Sequence, residues 1–274
     1  MKPVLAISFC LLLQSCSSVF FYPMEMQVLT PDRLGLEYQD ISLKTEEGLT
    51  LHGWFLSAKG EPKGTIYFLH GNAENISTHI QSVYWLPEMG YQVFLIDYRG
   101  FGLSEGDPNL PSALEDVKTG FNWLVEQEAV SGKPVFLFGQ SLGASMGLYF
   151  VATNEQAKEQ LSGVISDASF TRYRDIARYV ASQTWITWSF QYPASWAIVG
   201  GYDPIDYVDD ISPIPLLLIH SQDDRIIPFS DSEALFKAAL EPKTRLVTEG
   251  LHGATFNEPK NRWALLSFLT KAAQ

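Results

Sequence analysis

Cysteine is nearly missing from this 274-residue chain, which has only Cys10 and Cys16. Both precede the body of the chain. A disulfide framework and a cysteine-based zinc site are therefore excluded. Basic residues are also scarce: 19 Lys and Arg against 31 Asp and Glu give a net charge of −12, with no basic run. Nucleic acid is excluded as a partner on this ground, because phosphate binding needs clustered Lys and Arg. No internal repeat is visible, and disorder is not indicated at 46% hydrophobic and 18% charged residues. A chain of this size forms one large domain, or a domain with an insertion, and buries roughly three quarters of its unfolded surface.

The first residues do not read as part of the fold. Met1-Lys2 gives a short positive end, and Pro3 to Leu13 carries no charge. That run is short of the ~20 residues a membrane-spanning helix needs, but it fits a signal-peptide core. The following Leu13-Gln14-Ser15-Cys16 resembles the bacterial lipobox, with Gln14 a departure from its usual small residue. The expectation is a signal peptide over 1–15, lipidation at Cys16, and a tether over 16–35 that contains Pro23 and Pro31. Ser17 resembles an outer-membrane sorting signal, which places the chain in the bacterial cell envelope, lipid-anchored, at the outer membrane.

From residue 36 to 274 strand and helix patterns alternate. Tyr38 to Lys44 and Leu49 to Ser57 read as a hairpin around Glu46-Glu47-Gly48. Thr65 to Leu69, Gln92 to Ile96, Pro134 to Phe138, Gly163 to Asp167, Ile214 to His220 and Thr244 to Val247 read as further strands. Helical patterns fall at Ile76 to Met89, at Ser230 to Leu240 and at Asn257 to Ala272. Ser112-Ala113-Leu114-Glu115 reads as a capping box that opens a helix to about Val130. The fold class is α/β, a doubly wound and mostly parallel sheet with an antiparallel lead-in. About 169–212 exceeds a single crossover and reads as a small helical cap insertion.

The most informative segment is Gly139-Gln140-Ser141-Leu142-Gly143, set between an apolar strand and the helical stretch Ala144 to Phe150. Strand, G-x-S-x-G, helix is a nucleophile-elbow context, in which a tight turn exposes the serine hydroxyl at a helix N-terminus. A serine needs a base, and the base needs an orienting carboxylate. Five histidines are present. His252 lies in the loop Gly250-Leu251-His252-Gly253 after the last strand, where the order Ser, acid, His places the base. Asp223 and Asp224 follow the strand that ends at His220, and Asp167 is a rival at the end of the strand after the elbow. One oxyanion donor is the N–H of Leu142. The other comes from the loop His70-Gly71-Asn72-Ala73, with Asn72 first and Ala73 as the alternative. Asp97-Tyr98-Arg99-Gly100-Phe101-Gly102-Leu103-Ser104 reads as a structural turn in which Asp97 and Arg99 pair or cap.

Together these motifs resemble the α/β-hydrolase superfamily, serine-hydrolase branch, over about residues 36–270. The chain is similar to bacterial α/β-hydrolase lipoproteins and to eukaryotic α/β-hydrolase-domain proteins with the same H-G-N-A and D-Y-R-G-x-G-x-S segments. His220 to Pro228 resembles the family pattern H-G-x-x-D-x-x-V-P, and that alignment selects Asp224, with Ser221 in place of the usual glycine. The resemblance implies hydrolysis of a carboxylic ester, thioester or amide through an acyl-enzyme, with no metal or organic cofactor. An acyltransferase with the same triad and a non-catalytic surface lipoprotein are the alternatives. The expected partners are a small-molecule or lipid-like acyl substrate and a membrane, reached through the lipid anchor. Trp185, Trp188, Phe190, Tyr192 and Trp196 crowd the cap. They pack the cap onto the sheet or, with Trp185 and Trp188 foremost, line a substrate pocket or a membrane-facing patch.

Overall fold

The computed structural model describes residues 21–183, 191–196 and 198–274. The expected signal peptide, Cys16, Trp185 and Trp188 lie outside the described residues.

Eight strands form one sheet: β1 (Tyr38–Lys44), β2 (Thr50–Leu56), β3 (Gly64–Leu69), β4 (Tyr91–Ile96), β5 (Val135–Gln140), β6 (Leu161–Asp167), β7 (Leu216–Ser221) and β8 (Lys243–Thr248). Their spatial order is β8-β7-β6-β5-β3-β4-β2-β1. Only β2 pairs antiparallel with its neighbours; the other ladders are parallel. Strands β3 to β7 are buried along nearly their whole length, which is why they read as continuous apolar runs. Alternate residues serve opposite faces. Tyr67 and Leu69 of β3 join one core with Phe94, Phe121 and Val151, whereas Ile66 and Phe68 join the other with Phe138, Leu265 and Leu269.

The helices are α1 (Ile76–His79), α2 (Leu110–Val125), α3 (Leu142–Thr153), α4 (Glu155–Gln160), α5 (Tyr173–Ser182), α6 (Gln191–Trp196), α7 (Phe229–Ala238) and α8 (Pro259–Ala272). Helices α2 and α3 lie on the first core and α8 on the second, so the sheet is wound on both sides. The single helix expected over 76–89 is instead α1 followed by 3₁₀ turns at Ile80–Ser82 and Pro87–Met89. Ile76, Ile80, Val83 and Leu86 are all buried as the periodicity required. Continuity fails because Pro87 has no N–H to donate, and the Ser77 and Thr78 hydroxyls bind oxygens of Asn75 while the Ser82 hydroxyl donates to Gln140 Oε1. Helix α2 starts earlier than the capping box predicted. Asn109 is its cap, accepting from Ser112 N–H at 3.2 Å, and Pro111 sits in the first turn.

One further expectation is corrected, and of two alternatives the structure selects one. From Phe21 onward the supposed tether belongs to the body: Phe21 is buried, and Tyr22–Pro23 pairs in parallel with Ala73–Glu74. Asp97 and Arg99 do not pair. Arg99 grips Asp116 with Nε and Nη2 and reaches Glu47 with Nη1 at 2.9 Å. Asp97 Oδ1 accepts the N–H of Ile76 at 2.9 Å and so caps α1.

Between β6 and β7 lie α5, α6 and 3₁₀ turns at Pro204–Asp206 and Val208–Ile211. The second half of this segment folds along the flank of α3, where the Tyr202 and Tyr207 rings pack edge-on against Tyr149.

Candidate active site

Parallel register brings the strand ends together. Leu69 is beside Gly139, Gln140 beside Asp167, Asp167 beside Ile219, and His220 beside Val247. The loops that follow these residues therefore share one edge of the sheet, as open α/β sheets place their sites.

Ser141 stands at the centre of that edge, between β5 and α3. Its backbone is at φ 56° and ψ −116°, a strained conformation for a residue with a Cβ. Its N–H donates to Asp167 O at 2.8 Å, which fixes the turn. The flanking glycines are sterically required. A Cβ on Gly143 would overlap Leu69 O and lie 2.5 Å from His70 O; one on Gly139 would overlap Gly143 O. Leu142 opens α3, so its N–H is among those without an intrahelical partner.

His252 and Asp224 meet as the sequence order required. His252 Nδ1 lies 2.7 Å from Asp224 Oδ2. A carboxylate accepts, so Nδ1 carries the proton and Nε2 is left without one. Asp224 Oδ1 accepts the N–H groups of Ile226 and Ile227 at 2.8 and 3.0 Å. Burial raises the Asp224 carboxyl, but the His252 bond and charge and these two amides outweigh it and hold the pKa below the ordinary carboxylate value. Behind it, His220 Nε2 sits 3.1 Å from Ile227 O and 3.6 Å from Asp224 Oδ2, bracing the turn.

Asp223 is exposed and accepts the N–H of Gly250 at 3.1 Å, steadying the loop that carries His252. Asp167, the rival acid, is buried. It takes the Thr255 hydroxyl at 3.0 Å and the Gln140 amide at 3.3 Å, and burial raises its pKa. It ties the His252 loop to the elbow and does not touch the imidazole. A Cβ built on Gly253 would lie 3.9 Å from Gln140 Nε2, so the loop runs directly past the residue before Ser141. Among the described residues the Ser141 hydroxyl makes no hydrogen bond. Catalytic hydrogen bonds of this kind often close only around substrate.

The loop after β3 borders the serine. A Cβ on Gly71 would lie 3.5 Å from Ser141 Cβ and 2.9 Å from His79 Cε1. Asn72 and Ala73 follow directly. His79 falls within the helical pattern expected over 76–89, and it bridges the site: Nε2 is 3.0 Å from Ala73 O and Nδ1 is 3.1 Å from Gln140 Oε1. Gln140 was missed for a plain reason: it fills an unconstrained position of G-x-S-x-G, and its partners His79, Ser82 and Asp167 are distant in sequence. Of the expected cap aromatics, Tyr192 and Trp196 are described and stand 49% and 72% exposed.

The chain resembles known proteins along most of its length. The family described as serine aminopeptidase, S33, matches residues 60–211. The chain is 34% identical over 259 residues to the uncharacterized protein YfhR of Escherichia coli (strain K12), covering 92% of this chain and 86% of that one. It is 28% identical over 220 residues to the α/β hydrolase domain-containing protein WAV2 of Arabidopsis thaliana, covering 77% and 70%. Among solved structures, the Pyrococcus furiosus esterase Pf2001 superposes with a TM-score of 0.74 at 22% identity, covering 92% of this chain and 97% of that one. The last likeness is one of fold.

Proposed function

From a chain that belongs to the serine aminopeptidase S33 family, within the α/β-hydrolase superfamily, we propose a serine hydrolase that cleaves a carboxylic ester, thioester or amide through an acyl-enzyme. The observation that carries this reading is the 2.7 Å contact of Asp224 with His252 on the sheet edge that also bears the strained Ser141. His252 Nε2 takes the Ser141 proton as Oγ attacks the carbonyl carbon. The N–H groups of Leu142 and Asn72 receive the developing oxyanion. His252 then protonates the leaving group, and water, activated by the same nitrogen, releases the acid and restores Ser141.

Ser141→Ala tests this directly. Fluorophosphonate labelling should vanish, and p-nitrophenyl ester turnover should fall by several orders of magnitude. A variant that still labels at full stoichiometry refutes the assignment.

For the substrate we infer a small-molecule or lipid-like acyl compound, met near a membrane. The exposed Tyr192 and Trp196 support this, as do the neighbouring Trp185 and Trp188 in the sequence. Replacing Trp185 and Trp188 by Ala should lower activity on long acyl esters more than on acetate esters; equal losses count against a pocket. The proposed anchor at Cys16, at the outer membrane of a bacterial envelope, predicts incorporation of radiolabelled palmitate that Cys16→Ala abolishes.

A further inference from the structure

We propose that residues 21–28 act as a positioning strap for the oxyanion hole, a role that rests on the serine-hydrolase reading above. The strap crosses the loop that carries Asn72. Tyr22 N–H donates to Asn72 O at 3.2 Å, and Met24 N–H donates to Glu74 O at 3.0 Å. The two segments form a parallel pair in the register Tyr22 with Ala73 and Pro23 with Glu74. Pro23 suits its place, because in a parallel ladder alternate residues donate to the neighbour, and its missing N–H falls between the two that do. The strap engages Asn72 through the carbonyl, not through the N–H that the oxyanion requires.

The strap is itself held at both ends. Phe21 is buried with its ring edge-on to Phe101, and Val28 N–H donates to Ser77 Oγ at 2.8 Å. Met24 O accepts from Gly102 N–H at 3.0 Å. Asn75 is the latch. Its Oδ1 accepts the N–H of Ser77 at 2.9 Å and caps α1, while its Nδ2 donates to Met24 O and Met26 O at 2.7 and 2.9 Å. One fully buried amide thus joins the strap to the end of the oxyanion loop.

The loop needs such a hold. Glu74 sits at φ 66°, a left-handed conformation that a non-glycine residue keeps only when its surroundings enforce it. The strap bonds the carbonyl of that residue. A donor that drifts by about 1 Å from its productive place loses on the order of 10²-fold in rate. Holding the loop is therefore worth as much to turnover as owning the donor.

The test uses the full-length chain. Asn75→Asp keeps the oxygen that caps α1 and replaces the strap's two donor bonds by an oxygen facing two carbonyls. Met24→Pro removes the donor to Glu74 O, while also fixing φ at position 24, and serves as the second variant. For each, kcat and KM on p-nitrophenyl acetate are measured beside the Ki of a trifluoromethyl ketone, whose adduct carries an oxyanion. Circular dichroism at the assay temperature selects the folded variants. The expected result is a fall in kcat of at least tenfold, KM within about twofold, and Ki raised in parallel with the loss in kcat. Folded variants whose kcat and Ki stay within twofold of wild type overturn the strap's role, as does a loss confined to KM. A wild-type chain that neither labels with fluorophosphonate nor turns over the ester overturns the hydrolase reading itself, so the two failures are distinguishable.

Discussion

Asp224 Oδ2 stands 2.7 Å from His252 Nδ1, with the Asp224 side chain only 1% exposed. The contact fixes the imidazole tautomer, and an amide in place of the carboxylate would present the wrong group to Nδ1. Asp224→Asn should therefore lower kcat by about 10⁴-fold with KM little changed, as in the serine-protease triad. Asp223→Asn loses only the carboxylate that receives Gly250 N–H and should stay within about tenfold of wild type. Steady-state kinetics on one activated ester decides the matter. A loss for Asp167→Asn equal to that for Asp224→Asn would reassign the acid.

The strain at Ser141 predicts a divergence between stability and activity. At φ 56° and ψ −116° a side chain is a burden that glycine would not carry. Ser141→Gly should raise unfolding free energy by about 1 kcal/mol, whereas Ser141→Ala keeps the Cβ and should change it little. Both abolish turnover. Urea unfolding monitored by tryptophan fluorescence would expose the difference, and identical midpoints for the two variants would show that the elbow is relaxed.

The candidate site was legible because its signals are local. Gly139 and Gly143 announce a turn in which a Cβ cannot fit, and His252 lies in a glycine-flanked loop where a core role is implausible. The strands of the sheet were legible because burial on both faces makes their apolar runs continuous. What could not be read were contacts whose partners are remote in sequence. The strap at Tyr22 looks like a proline-bearing tether until Ala73 is placed beside it. Asp97 and Arg99 are two residues apart and invite pairing, but each side chain meets partners that are remote in sequence. Arg99 reaches Asp116, and Asp97 turns to Ile76, His52 and His70. Asp223 and Asp224 are chemically identical in sequence. The resemblance to the family pattern selects Asp224, and the fold gives the physical reason: it buries that side chain against His252 and leaves Asp223 exposed.

The Arg99–Asp116 pair predicts a stability effect remote from catalysis. Arg99 Nη2 lies 2.8 Å from Asp116 Oδ1, and the Arg99 backbone N–H donates to Asp116 Oδ2 at 2.8 Å. Both side chains are buried, Asp116 completely. Arg99→Ala strands a carboxylate in the core and should cost about 3–5 kcal/mol. Adding Asp116→Leu to Arg99→Ala should recover part of that loss, because no uncompensated charge remains. Thermal and urea unfolding of the three variants checks this; equal stability of the single and double variants would mean that the charge is not what matters.

His70 makes the protein's stability depend on pH near neutrality. The ring is fully buried and stacks on Tyr98 at 4.3 Å between centroids. Its Nδ1 is 2.8 Å from Gly71 O, and its Nε2 is 3.6 Å from Asp97 Oδ1. Burial, and then the nearby charge of His79, push its pKa well below the ordinary 6.5, with the Gly71 carbonyl opposing only in part. The folded state therefore holds His70 neutral, while the unfolded chain protonates it. Its contribution is complete above pH 6.5 and is lost as pH falls from 6.5 toward the folded value, at up to about 1.4 kcal/mol per pH unit. Asp97 acts in the opposite sense. Burial raises its carboxyl above 3.8, so the folded state gains stability as pH falls from that raised value toward 3.8. The two effects separate in a difference measurement. Unfolding free energies of wild type and His70→Asn, taken from pH 8 to pH 5, share the Asp97 contribution and differ in that of His70. The wild-type advantage should shrink steadily below pH 6.5, and an advantage that stays constant across the range would show that His70 is not held neutral by the fold.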